Sequence, residues 1–221
     1  MQSSIKKWFE DLTVEGLPDE LEAKRLLNLY NIATPKGFRL HPEDNIDHFD
    51  LAPPFALKVC SGTILHKTEQ NGVLLNLDKG SLSEAVTHFR MQFPTATLLI
   101  EEHIPFRGPE FIVGAIVDAD FGPAVMAGTG GILTEIYKDV VFRLAPCSSE
   151  EAARMLQELI IAPALKGFRG IHMDEAGLAD IISRISDLIY DLNHSVCQLD
   201  INPLVFYNSS WIALDAKVIL I

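Results

Sequence analysis

Apolar runs of strand length come in neighbouring pairs along this chain, and nothing else in the sequence constrains the fold as tightly. Residues 110–117 and 123–127 are two such runs, joined by a turn at 118–122. Residues 196–201 with 204–207, and then 211–218, form another group, hinged at Asn208, Ser209 and Ser210. Runs only a few residues apart pair antiparallel, because a parallel partner needs a crossover of about a dozen residues or more. Helical patterns fall between these groups and do not alternate one for one with strands. The predicted fold class is therefore α+β, not a doubly wound parallel sheet.

The remaining pattern fills in that outline. Residues 18–31 read as a helix, with Leu21, Ala23, Leu26, Leu27 and Tyr30 on one face and Glu22, Lys24 and Arg25 largely opposite. Pro35 and Gly37 end it. Residues 41–53 read as a loop. Phe55–Cys60 is a strand interrupted by Lys58, read either as an edge-strand lysine reaching water or as a paired buried one. Residues 72–77 are a second strand. Ser81 followed by Glu84 predicts a capping box and a helix to about residue 92. Thr97–Glu102 and Val140–Leu144 are further strands. Ser148 or Ser149 caps a helix through Ile160, with acids in its first turn. Asp174 opens a longer helix to about residue 192, whose stripe is Ile181, Ile182, Ile185, Leu188, Ile189 and Leu192.

Composition enters as a filter on partners. The 221 residues are 48% hydrophobic and 22% charged, as in ordinary globular proteins, and the net charge is −12. That balance argues against a nucleic-acid partner. The charge is uneven: residues 1–50 carry a net −4, residues 51–110 a net −1 and residues 111–221 a net −7. An anionic ligand would be met first in the nearly neutral middle segment. Cys60, Cys147 and Cys197 have no CxxC spacing, and their odd count fits a reducing, cytoplasmic setting. The first twelve residues lack the apolar stretch of a signal peptide, and no run of roughly eighteen apolar residues exists, so no membrane association is expected.

Three groups carry chemistry. Lys58 and Lys67 flank a small-residue segment that contains His66. Lysines suit phosphates as point charges, and a neutral imidazole nitrogen is a nucleophile; a solvated loop explains the same residues structurally. Gly128, Thr129, Gly130 and Gly131 form a glycine loop that lets backbone approach phosphate oxygens, although it matches neither standard nucleotide fingerprint and a plain turn also explains it. Asp200 and Asn202 share one face of a strand by the period-two rule, and Asp215 on the next strand is a candidate neighbour. Two carboxylates and an amide oxygen suit a hard cation such as Mg2+. Turn chemistry is the alternative for the Asp-x-Asn-Pro segment.

The order of these groups is more specific than any one of them. Lys58 is followed by His66, Lys67, Thr68, Glu69, Gly72 and Val73, then by Glu101 and Glu102. The glycine loop runs into Glu135, Asp139, Arg143, Leu144, Ala145 and Pro146. Lys166, Gly167, Phe168, Arg169 and Gly170 come next, and the series closes on Leu199, Asp200, Ile201, Asn202, Pro203 and Leu204 with Leu214 and Asp215. Over roughly residues 12–219 this resembles the ATP-grasp β subunit of ADP-forming acetyl-CoA synthetases and other NDP-forming acyl-CoA ligases, and more distantly the β subunit of succinyl-CoA synthetase.

The resemblance implies an ATP-grasp fold of two α+β lobes with the nucleotide bound between them. The corresponding divisions are an extension over 1–18, an N-terminal lobe over 19–103 and a C-terminal lobe over 104–221. It implies the interconversion of acyl-CoA, ADP and phosphate with free acid, CoA and ATP, by way of a phosphohistidine at His66. Asp200 would face and orient that histidine. Lys58 and Lys67 would meet the ATP phosphates. Glu101, Glu102, His103 and Ile104 would form the segment that reads adenine and ribose. Glu110, the loop glycines Gly128, Gly130 and Gly131, and Arg143 would complete the ATP/ADP site, and Asn202 and Asp215 would hold Mg2+. No CoA-binding domain follows residue 219, so a separate CoA-binding α subunit, in an α2β2 assembly or similar, is the expected partner. The competing class is a non-catalytic ATP-grasp module that regulates a partner. A degenerate module should lack His66, Asn202 or Asp215, and all three are present.

Overall fold

A computed structural model describes residues 3–15, 18–46, 49–60, 71–131, 134, 138–167 and 172–221. The elements run α1 (Ser3–Glu15), α2 (Glu20–Leu29), β1 (Gly37–Leu40), β2 (Phe55–Cys60), β3 (Val73–Leu77), α3 (Lys79–Gln92), β4 (Thr97–Glu102), β5 (Phe111–Asp118), β6 (Gly122–Thr129) and β7 (Val140–Leu144). They continue with α4 (Ser149–Gln157), α5 (Ala162–Leu165), α6 (Glu175–Asp191), β8 (Val196–Tyr207), β9 (Ser210–Ala213) and β10 (Ala216–Leu220). Every ladder between these strands is antiparallel, as the paired apolar runs require. The α+β expectation holds.

The chain divides into two units. The smaller gathers Pro18–Glu22 and Pro35–Pro105. Its sheet has the order β1-β4-β2-β3, and α3 packs Leu82, Val86 and Phe89 into a core with Phe55, Leu57, Val59 and Ile100. The cap of α3 differs from the sequence expectation. Asp78 is the N-cap, accepting the Ser81 N–H at 2.8 Å, and the Ser81 hydroxyl answers the Asp78 N–H. A carboxylate directly after the strand is better placed for the first free N–H groups than Ser81, which sits one turn in.

Lys58 is no edge residue, because β2 lies between β4 and β3. Its ammonium is held by Glu20 at 2.7 Å and Glu101 at 2.6 Å, with side-chain exposures of 7%, 0% and 3%. Close by in the same unit, Asp19 accepts the Glu22 N–H at 3.0 Å at the start of α2. Asp19 also takes two Arg39 nitrogens at 2.7 and 3.0 Å, while Glu22 takes Arg39 at 2.8 Å. Burial raises the Asp19 carboxyl, but the Arg39 hydrogen bonds and the Glu22 N–H outweigh it and leave it below the usual carboxylate range.

A depressed carboxyl stabilises the fold above its unfolded pKa and loses that contribution as pH falls through the folded value. Asp19→Asn is therefore expected to cost about 1–2 kcal/mol at neutral pH and progressively less in acid. Urea unfolding across a pH series checks this, and a difference that does not change with pH would refute it.

The larger unit contains α1, Ala23–Thr34 and Phe106–Ile221. Its sheet has the order β10-β8-β5-β6-β7, with β9 on β8. Alternate residues Val113 and Ala115, Val125 and Ala127, and Leu199 and Ile201 point into the core. There they meet the α6 stripe Leu178, Ile181, Ile182, Ile185, Leu188 and Ile189, which Asp174 starts by capping the Gly177 N–H. Each such side chain contributes about 1.5–3 kcal/mol by burial. The first helix also lies on this core through Ile5, Trp8 and Leu12, a placement no feature of residues 1–18 had suggested. The opposite face of the sheet carries Asp200, Gly114, Met126 and Phe142 in one cross-strand row. Among the described residues no helix is long and apolar enough to cross a membrane.

Candidate functional site

The outward row of the larger sheet positions the carboxylates. Asp200 on β8 pairs with Gly114 on β5 and Lys217 on β10. A side chain at 114 would press first on the Met126 methyl and would reach Leu199 and Asp200 only at ordinary contact distance. Residues 211–218 do not form one strand as the sequence suggested. β8 is paired by β10 along its first half and by β9 along its second, so the returning chain breaks at Leu214 and Asp215. The break sets Asp215 beside Asn202: the Asn202 N–H donates to the Asp215 carbonyl at 3.2 Å, and the Leu214 N–H to the Pro203 carbonyl at 3.0 Å.

Asp200, Asn202 and Asp215 thus come together. Burial raises the Asp200 carboxyl, the Asp215 charge raises it further, and Lys217 only partly opposes them. Two acids that disfavour each other's charge in a half-buried place are a natural seat for a cation. Among the described residues no group of three His, Cys, Asp or Glu gathers for a metal; the donor set here is two carboxylates and an amide, the oxygen chemistry Mg2+ accepts. The Asn202 Oδ1 receives the Gly131 N–H at 2.7 Å, and an amide oxygen has two lone pairs, so this bond does not exclude a cation.

That same bond joins the glycine loop to the acids. Contrary to the sequence expectation, Gly128 and Thr129 are the last two residues of β6, and the loop proper begins at Gly130; a Cβ at Gly128 would run into the Asp139 carbonyl. Gly131 has φ +65°, and Glu110 lies directly against its Cα. The Gly130 N–H is taken by the Glu110 carbonyl at 2.7 Å. The amides of Gly130 and Gly131 are therefore spent inside the protein, and the space that side chains would take at 128, 130 and 131 is filled by Asp139 and Val140, by Phe111 and by Glu110. Burial raises the Glu110 carboxyl. Arg143, on β7, is the register partner of core-facing Val125 and pairs with Glu158 and its own strand's Phe142 carbonyl, so it lies on the helical side of the sheet and not with Asp200, contrary to the sequence expectation.

In the smaller unit Lys58 and Glu101 meet as described. Glu102 accepts the Lys36 N–H at 3.2 Å, and its own N–H goes to the Lys36 carbonyl. The His103 N–H goes to the Pro54 carbonyl at 3.0 Å, and burial lowers the His103 imidazole. Ile104 follows, half-buried. His66, Lys67, Glu135 and residues 168–170 lie outside the described residues.

Two residues escaped the sequence reading. Glu20 reaches Lys58 from thirty-eight positions away, and no local pattern announces such a pair. Asp139 stood in the motif series without a role. It accepts the Thr129 hydroxyl at 2.7 Å and the N–H groups of Ile160 and Ile161 at 2.8 and 3.0 Å.

Known proteins share this arrangement of elements. The ATP-grasp domain family matches residues 14–220. The β subunit of acetate–CoA ligase [ADP-forming] I from Pyrococcus furiosus is 38% identical over 212 residues, 91% of this chain and 90% of that protein. The β subunit of ligase II from the same organism is 31% identical over 234 residues, 100% of this chain and 99% of that one. A solved structure of a dinucleotide-forming acetyl-coenzyme A synthetase 1 from Ca. Korarchaeum cryptofilum matches with a TM-score of 0.82 at 30% identity, covering 98% of this chain and 99% of that chain. That protein was captured with coenzyme A and Mg-AMPPCP, its phosphohistidine segment pointing towards the nucleotide binding site.

Proposed function

The chain belongs to the ATP-grasp family, and from that premise we propose that it is the nucleotide-handling β subunit of an ADP-forming acyl-CoA ligase. With a separate CoA-binding α subunit it interconverts acyl-CoA, ADP and phosphate with free acid, CoA and ATP. The observation that supports this most directly is the Gly131–Asn202 hydrogen bond, which ties a glycine loop to two mutually repelling carboxylates.

Phosphoryl transfer asks a protein for positioning and charge neutralisation more than for covalent help. Lys67 meets the nucleotide phosphates, while Lys58, enclosed by Glu20 and Glu101, would have to leave that buried cluster to join it. Residues 101–104 read the purine with main-chain groups and the ribose with a carboxylate. Gly128, Gly130 and Gly131, packed closely against Asp139, Phe111 and Glu110, shape the turn that covers the phosphates, with Glu110 as a support. Asn202 and Asp215 hold Mg2+, which when bound neutralises phosphate oxygens. His66 carries the phosphoryl group between the α subunit and ADP: a ring nitrogen attacks the phosphorus of the α subunit's phosphohistidine, whose N–P bond breaks and releases that imidazole, and the new N–P bond breaks in turn as the terminal oxygen of ADP takes the phosphorus. Asp200 fixes the imidazole tautomer and steadies its charged form.

Mixed with an α subunit of this class, ATP, Mg2+, CoA and a panel of acids, the chain is expected to release ADP only when an acid and CoA are both present. Run in reverse from acyl-CoA and radiolabelled phosphate without ADP, the mixture should leave an acid-labile label on this chain. Tight ATP binding with no turnover on any acid would replace this reading by that of a regulatory module.

A further inference from the structure

We propose that Asp139 is the positioning residue of the glycine loop, acting through Thr129 to set how closely residues 128–131 approach a nucleotide. This rests on the nucleotide reading above. Among the described residues most buried acids face cations: Glu20 and Glu101 hold Lys58, and Glu22 holds Arg39. Asp139 is equally buried but is surrounded by neutral donors. Its Oδ2 accepts the Thr129 hydroxyl at 2.7 Å and the Ile161 N–H at 3.0 Å, and its Oδ1 accepts the Ile160 N–H at 2.8 Å.

Asp139 grips residue 129 twice. The Thr129 N–H donates to the Asp139 carbonyl at 3.0 Å, while the Thr129 hydroxyl donates to the Asp139 side chain. Thr129 stands between Gly128 and Gly130, the two positions where backbone is packed most tightly against backbone. From the other side the Thr134 hydroxyl donates to the carbonyls of Thr129 and Gly131 at 2.8 and 2.9 Å. Ile160 and Ile161 lie in the turn between α4 and α5, so the carboxylate braces the loop against the helical layer. Glycines give a loop close approach at the cost of definition. Here the definition comes from a charged acceptor, whose hydrogen bonds are stronger than neutral ones. Asn cannot reproduce it, since half of its amide is a donor facing donors.

The test is steady-state kinetics of the complete α–β enzyme with ADP varied. Asp139→Asn should raise KM for ADP about tenfold or more, the loss of one charged hydrogen bond, and leave KM for acyl-CoA unchanged. A merely structural role would lower the fraction of active enzyme, and so kcat, without moving KM for ADP. Thr129→Val should reproduce the effect, Thr129→Ser should restore the wild-type KM, and Asp139→Asn with Thr129→Val together should be no worse than Asp139→Asn alone. An unchanged KM for ADP in Asp139→Asn would overturn the proposal. If that variant does not fold, equal KM values for Thr129→Val and Thr129→Ser overturn it instead. A wild-type chain that binds no Mg-ADP would sink the nucleotide reading and this proposal with it. A wild type that saturates with ADP beside an indifferent Asp139→Asn would sink this proposal alone.

Discussion

Asp215→Ala is expected to abolish Mg2+-dependent nucleotide binding, with a loss of about 100-fold or more in affinity for Mg-ADP. The magnitude follows from comparison: removing a group that only supports a metal ligand costs about 10–100-fold, and Asp215 is proposed as a ligand itself. Mg2+ in nucleotide sites is commonly held by one or two carboxylates plus phosphate, so the loss of the one carboxylate assigned to it should be severe. The fold should survive. Asp215 is kept in place by main-chain bonds, from the Asn202 N–H to its own carbonyl and from the Leu214 N–H to the Pro203 carbonyl, and alanine preserves both. Removing the charge also relieves Asp200 of one of the two influences that raise its carboxyl. Calorimetric titration with Mg-ADP, and with ADP in excess chelator, separates the outcomes. The metal-dependent part should vanish and the metal-free part should remain. Equal Mg-ADP affinity in variant and wild type would show the metal assignment to be wrong.

Lys58→Met should destabilise the protein by about 3–5 kcal/mol, the usual result of removing one partner from a buried charge cluster. The cost comes from what is left behind. Glu20 and Glu101 have side-chain exposures of 0% and 3% and lie within 2.7 Å of the lysine nitrogen. Without that cation, two carboxylates in a place water barely reaches lose the ammonium they share, and a buried charge that loses its counter-ion is costly. The triple variant Lys58→Met, Glu20→Gln, Glu101→Gln should regain much of the loss, because the uncompensated charge is gone. Denaturant unfolding of the set decides the matter: a single variant within about 1 kcal/mol of wild type, the scale of an exposed pair, would show that the cluster is solvated in solution.

These two sites also show what a sequence discloses. Asp200 and Asn202 were legible because strand periodicity put them on one face, and the turn residues at 208–210 announced a returning chain. The place of Asp215 was legible only roughly. The register change between β9 and β10, not the alternation pattern, sets it beside Asn202. The α6 stripe and its Asp174 cap were plain, since helix periodicity is local. Lys58 was the opposite case. A lysine in an apolar run says that a partner is needed but not which one, and Glu20 comes from a helix end thirty-eight residues earlier. Asp139 was hidden for the same reason, because two of its three side-chain donors lie 21 and 22 positions downstream. The α1 helix went unread because its apolar residues, Ile5, Trp8 and Leu12, are flanked by charges and carry no cap or stop signal.

The strand order of the larger sheet bears on how the chain is made. β5 sits between β6 and β8, and β8 emerges from a ribosome only after α4, α5 and α6 have been synthesised. Until then Ile5, Trp8, Leu26 and Leu27 from the first two helices have most of their eventual core missing. The core built from Leu40, Phe55, Leu57, Phe89 and Ile100 is drawn from one continuous stretch and is available much sooner. Ribosomal synthesis therefore delivers an early-closing part and a late-closing one, and the late one must wait for pairings of high sequence separation, the slow and aggregation-exposed kind. For this chain the interval between the appearance of α1 and the arrival of β8 is when the apolar residues of the larger core lack their partners.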